Sequence, residues 1–157
     1  MMEQKKNIET NHARISFDAC SINEGFARMV VMGFMMDMNP TMDELQDVKT
    51  AVSEAVTNAI IHGYAVCEAA ETVPQVEMIC IQEGKKLTIV VEDHGIGIKD
   101  IEEARQPFFT TKPEQERSGM GFAFMEAFMD SVEVNSKPGE GTCVTMVKYI
   151  ACEGDEQ

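Results

Sequence analysis

The 157-residue chain is poor in positive charge: 13 Lys and Arg stand against 27 Asp and Glu, for a formal net charge of −14. Binding DNA or an anionic membrane takes a dense basic patch, so this balance argues against both. It leaves two readings, a basic protein partner or plain solubility. Cysteine is sparse and unpatterned. Cys20, Cys67, Cys80, Cys143 and Cys152 are odd in number and form no Cys-x-x-Cys pair. That pattern indicates neither a zinc site nor a disulfide framework, and suits reduced, mostly buried thiols. His12, His62 and His94 do not restore a metal site, since nothing places them near the cysteines. No run approaches the roughly 18 to 20 apolar residues of a membrane span. The opening MMEQKKNIETN lacks the apolar centre of a signal peptide. These absences together imply a cytoplasmic protein. Internal repeats are absent too.

The residues that are present, 44% of them hydrophobic, suit one domain with its own core, over residues 12–150 between flexible termini 1–11 and 151–157. Ile15, Phe17 and Ala19 alternate with polar neighbours, as a half-buried strand does. Ser21 with Glu24 has the spacing of a capping box and predicts a helix over 22–36, which Pro40 stops. Thr41 with Glu44 repeats that spacing before the best-defined helix. There Leu45, Val48, Val52, Ala55, Val56, Ala59 and Ile60 form one apolar stripe, and Gly63 ends it. Residues 76–82 and 86–92 read as a hairpin around Glu83-Gly84-Lys85. A long charged segment over 98–117, with at most a short helix at 101–105, reads as a functional lid. A helix over 121–129 and strands over 132–136 and 142–150 complete the chain. The order predicts an α/β two-layer sandwich, with a mixed, mainly antiparallel sheet and helices on one face. The thirteen methionines read mostly as core.

Three short islands carry chemistry. Glu54, Asn58 and His62 recur at steps of four, and each step advances only ~40° around a helix. Asn58 offers the kind of carbonyl oxygen that Mg²⁺ takes beside phosphates and water. Glu54, one turn earlier, is placed to accept a proton from a hydroxyl attacking a phosphate. Taken alone, this pair is better read as a polar helix edge facing water. The second island, Asp93-His94-Gly95-Ile96-Gly97, follows an apolar strand. Its carboxylate can accept from an exocyclic amine, and Gly95 and Gly97 let backbone approach a flat ring. It is neither a dinucleotide-fold glycine motif nor a P-loop. In the third island, Ser118, Gly119, Met120 and Gly121 open a helix whose free N–H groups suit phosphate. The lid contributes Arg105, Thr110, Thr111 and Lys112, which could close over a terminal phosphate, although Lys112 alone is as well read as part of a solvated loop.

These islands resemble the N, G1 and G2 boxes of the GHKL ATPase superfamily, with Gly141-Thr142 where its last box stands. The strings TMDELQDVKTAVSEAVTNAIIHGY and IEEARQPFFTTKPEQERSGMGFAFMEAFMDSVEV resemble, more closely, the family of sporulation anti-sigma-F factors, serine kinases of this Bergerat fold. The resemblance covers about residues 12–150. It implies a homodimer that binds ATP with Mg²⁺, holds the sigma-F factor inactive and phosphorylates a serine of an anti-anti-sigma factor. It also implies that Glu54 is the base, Asn58 the Mg²⁺ ligand and Asp93 the adenine acceptor, and that Glu24 and Arg28 contact the partners. His94 departs from the family, standing where an acidic residue is common, with a modest expected effect on ATP affinity. A kinase of a general-stress sigma factor and a non-catalytic ATP-binding scaffold are the alternatives. The lid argues against the first and Glu54 against the second. A histidine kinase module or a gyrase-like ATPase is disfavoured because no partner domain precedes residue 12 or follows residue 150.

Overall fold

The computed structural model describes residues 10–63, 73–105 and 121–151. Along the chain run β1 (Thr10–Asp18), α1 (Asn23–Met35), α2 (Met42–Asn58), β2 (Gln75–Glu83), β3 (Lys86–Asp93), α3 (Ile101–Ala104), α4 (Gly121–Phe128), β4 (Ser131–Lys137) and β5 (Gly141–Tyr149). The strands make one sheet in the order β1-β2-β3-β5-β4. Every pairing among the described residues is antiparallel, the limiting case of the mainly antiparallel sheet expected. The first strand starts at Thr10, earlier than its alternation suggested, because Thr10 and Asn11 pair with Glu83 and Gln82.

Period-2 alternation sorts the sheet into two faces. Val76, Met78 and Cys80 of β2 and Leu87, Ile89 and Val91 of β3 are buried on one face. Val144 and Met146 of β5 join them. The helices cover this face with Ala27, Val31 and Met35 from α1, Val48, Ala51, Val52, Ala55 and Val56 from α2, and Phe122 and Met125 from α4. Removing one such large side chain from water contributes roughly 1.5–3 kcal/mol, so this layer holds the fold together. Met35, Met78, Met125 and Met146 are fully buried in it and Met38 and Met129 nearly so, whereas Met29, Met36 and Met42 are exposed, so among the described residues the core reading holds for six methionines and fails for these three. Of the described cysteines, Cys80 is buried, Cys20 is exposed in the turn after β1 and Cys143 is half-buried on the sheet face away from these helices, while Cys67 and Cys152 lie outside the described residues.

The two capping signals end differently. Thr41 Oγ1 accepts from the Glu44 N–H at 3.1 Å and Glu44 Oε1 accepts from the Thr41 N–H at 2.9 Å, a complete box that starts α2. Ser21 and Glu24 form no such box. The cap residue is Ile22, with no side-chain bond. A preceding turn already gives the Asn23 and Glu24 N–H groups the carbonyls of Cys20 and Ser21, so the serine hydroxyl has no donor to satisfy. Lys148 then ties the layers together, reaching Asp47 of α2 at 3.2 Å and the Phe128 carbonyl at the end of α4 at 2.6 Å.

Candidate functional site

The stripe that buries α2 against the sheet also fixes Glu54 and Asn58 at its C-terminal end. Asn58 is the last α-helical residue, and a π-helical turn follows over Ala59–Gly63. That wider turn ends the α-helical step-of-four register at Asn58. Such turns cluster at functional sites. The first residue of α4 meets this end of α2. A Cβ on Gly121 would lie 2.9 Å from Asn58 Nδ2, 3.3 Å from Asn58 Oδ1 and 3.4 Å from Glu54 Oε2. Only a residue without a side chain lets the two helices approach this closely without displacing Asn58. Among the described residues, Asn58 Oδ1 is the buried side-chain oxygen left without a hydrogen-bond partner. A carbonyl oxygen held open beside a carboxylate fits a hard divalent cation such as Mg²⁺.

The second half of the site lies at one end of the sheet. Asp93, Thr142 and Ser136 are register partners across β3, β5 and β4, facing the helices. Asp93 is buried. Its Oδ1 accepts from the Gly95 N–H at 2.9 Å, and the Thr142 N–H also serves the carboxylate. Burial raises its pKa from 3.8 to about 6, against the opposing pull of those two N–H groups and of His94. Two glycines let the strand ends close. Gly141, at φ 96°, would put a Cβ 2.1 Å from the Asp93 carbonyl oxygen, and Gly97, at φ 74°, one 2.1 Å from that of Lys137. Gly97 thus serves a backbone-to-backbone approach that the sequence did not suggest.

Ser136 was missed by the sequence reading. Its Oγ accepts from the Ile98 N–H at 2.7 Å, donates to the Gly141 carbonyl at 2.9 Å and lies 2.9 Å from Thr142 Oγ1. Its inward position follows from alternation with Val134, but its partners follow only from the sheet register. His94 is exposed beside Asp93, with Nε2 4.0 Å from a Glu92 oxygen.

Arg105 caps the C-terminal end of α3. Its guanidinium pairs with Glu126 of α4 and donates to the Val132 carbonyl at 3.1 Å, bracing α3 against α4 and β4. Glu24 is buried on α1, while Arg28 is partly exposed with its guanidinium 3.4 Å from the Cβ position of Gly25. Thr110, Thr111, Lys112, Ser118, Gly119 and Met120 lie outside the described residues.

A helix-borne carboxylate and amide beneath a helix-opening glycine, with a buried acid at a neighbouring strand end, define an ATPase domain of the histidine kinase type. The family model of the histidine kinase-like ATPase domain matches residues 21–148, most of the chain. The chain is 55% identical over 140 residues to the anti-sigma F factor of Clostridium perfringens (strain SM101 / Type A), covering 89% of this chain and 97% of that protein. It is 50% identical over 142 residues to the anti-sigma F factor of Bacillus subtilis (strain 168), covering 90% and 94%. This chain therefore belongs to the anti-sigma F factor family of histidine kinase-like ATPase domains. The crystal structure of the RsbU and RsbW domains of a Mycobacterium tuberculosis protein superposes with a TM-score of 0.62 at 18% identity. That match covers 89% of this chain but about a third of the other (32%), and is a likeness of fold. Among the described residues no helix is long and apolar enough to cross a membrane.

Proposed function

We propose that this chain is an ATP-dependent protein-serine kinase that doubles as an anti-sigma factor. It binds ATP with Mg²⁺, sequesters the sigma-F factor, and phosphorylates a serine of an anti-anti-sigma factor, acting in the cytoplasm as a homodimer. The observation that carries the reading is the meeting of Gly121 with Asn58 and Glu54, with the Asn58 carbonyl left open. Asp93 accepts the exocyclic amine of adenine, beside Gly95, Gly97 and Thr142. Asn58 holds the cation, which when bound offsets phosphate charge. Glu54 takes the proton of the substrate serine as its oxygen bonds to the γ-phosphorus and ADP leaves. Charge stabilisation and positioning of this kind carry most phosphoryl transfers.

The sigma-F partner is taken from the names of the relatives, which are anti-sigma F factors, and the anti-anti-sigma substrate from the family resemblance of the sequence. On α1, Arg28 is the more accessible of the two contacts proposed, since Glu24 is buried. Arg28→Ala should weaken capture of sigma with unchanged ATP affinity, and full retention in a pull-down refutes that role. The whole reading is tested by incubating the protein with γ-labelled ATP and a candidate anti-anti-sigma protein. Label on one serine of that protein is expected. Nucleotide binding without any transfer would favour a binding scaffold instead.

A further inference from the structure

The contacts of Ser136 carry information about hydrogen direction. A serine hydroxyl has one proton and two lone pairs. Its Oγ has three neighbours: the Ile98 N–H, which can only donate; the Gly141 carbonyl, which can only accept; and the Thr142 hydroxyl, which can do either. One assignment fills all three contacts. Ser136 gives its proton to Gly141, accepts from Ile98, and accepts the proton of Thr142. The Thr142 proton is then committed to Ser136, and the oxygen of Thr142 offers only lone pairs to anything else. Asp93, its register partner across the β3–β5 ladder, is likewise an acceptor when ionised. Two acceptors side by side suit a group bearing two hydrogens and oppose a carbonyl.

We propose that Ser136 sets base selectivity, holding the Thr142 hydroxyl as an acceptor so that a purine 6-amino group is taken and a 6-oxo group refused. The proposal rests on the reading that Asp93 faces the base of a bound nucleotide. Ser136 acts through Thr142, so it is a positioning residue. A site built around matched hydrogen bonds rejects the mismatched analogue because a buried polar group is then left unpaired.

The test is a titration of the wild-type chain and of Ser136→Ala and Ser136→Thr with Mg–ATP and with Mg–GTP, read as the ratio of the two affinities. Ser136→Ala frees the Thr142 proton to rotate toward a 6-oxo group, and the ATP preference should shrink by about ten-fold, the worth of one hydrogen bond. Ser136→Thr keeps a hydroxyl in place and should retain the wild-type ratio. On a Thr142→Val background, Ser136→Ala should shift the ratio no further, since the group it works through is gone. A purely structural loss lowers both affinities together and leaves the ratio unmoved, which overturns the proposal. If Ser136→Ala does not fold, Ser136→Cys, whose thiol is a weak donor and acceptor, gives the same readout. Asp93→Ala separates the two failures. If it weakens ATP binding about ten-fold or more while Ser136→Ala keeps the ratio, the selectivity proposal alone is wrong. If the wild type binds neither nucleotide, or Asp93→Ala changes nothing, the base-site reading fails and the proposal falls with it.

Discussion

The two ends of the proposed nucleotide site are built on opposite terms. At the sheet end, Asp93 and Ser136 have protein partners for their polar atoms, and Gly97 and Gly141 close the backbone around them. At the helix end, Asn58 keeps a buried carbonyl without a partner, packed against Gly121 and close to Glu54. A flat base can be met by groups fixed in advance. A cation and a transferring phosphate need open valences, and a buried acceptor left open costs roughly 1–3 kcal/mol. The base end is therefore expected to govern recognition, and the helix end to govern chemistry at some expense in stability.

The sharpest way to break this contrast is Glu54→Gln. Loss of a general base should lower phosphoryl transfer by ~10²- to 10⁴-fold while ATP still binds. Single-turnover transfer and a separate nucleotide titration read the two effects apart. Transfer at the wild-type rate would take the chemistry away from the helix end.

A smaller effect belongs to Asp93. A carboxylate whose folded pKa is raised binds more protons folded than unfolded, so stability from this group falls as pH rises through the window. With the pKa moved from 3.8 to about 6, the loss runs between about pH 4 and 6 and is complete above it. A shift of this size corresponds to about 3 kcal/mol. Asp93→Asn removes the titration. Its stability relative to wild type should climb with pH across that window and level off above it, measured by urea denaturation at stepped pH. A difference independent of pH would mean that Asp93 is well solvated and that the base end is not preorganised around a buried carboxylate.

The sequence was legible where a signal and its partner lie close together. Glu54 and Asn58 sit one turn apart on a strongly periodic helix, and Thr41 and Glu44 three residues apart, so both pairs could be read directly. The same spacing misled at Ser21 and Glu24, where the carbonyls of Cys20 and Ser21 already satisfy the Asn23 and Glu24 N–H groups. Asp93, Gly97 and Thr142 were legible as motif residues, but not the use made of Gly97. Ser136 was not legible, because its partner Ile98 lies 38 residues away and meets it only through sheet register. Arg105 shows the limit from the other side. A guanidinium in a charged segment has many prospective partners, and only the packing of α3 on α4 selects Glu126, 21 residues on.

The smallest prediction sets the two ends directly against each other through stability in the absence of metal and nucleotide. At the base end, Ser136→Ala leaves the Ile98 N–H without its 2.7 Å partner and should cost about 1–2 kcal/mol. At the helix end, Asn58→Leu replaces an unpaired acceptor with an apolar group of similar size. It should leave stability unchanged or raise it by about 1 kcal/mol, since no bond to the carbonyl is lost. The same variant should lose Mg²⁺-dependent ATP binding, because the open oxygen is gone. Paired denaturation curves, with and without Mg–ATP, decide the matter. If Asn58→Leu is as destabilising as Ser136→Ala, the carbonyl has a partner after all and the asymmetry between the ends is false. If it is more stable yet insensitive to Mg–ATP, the open valence is what this fold gives up in stability in order to hold the cation.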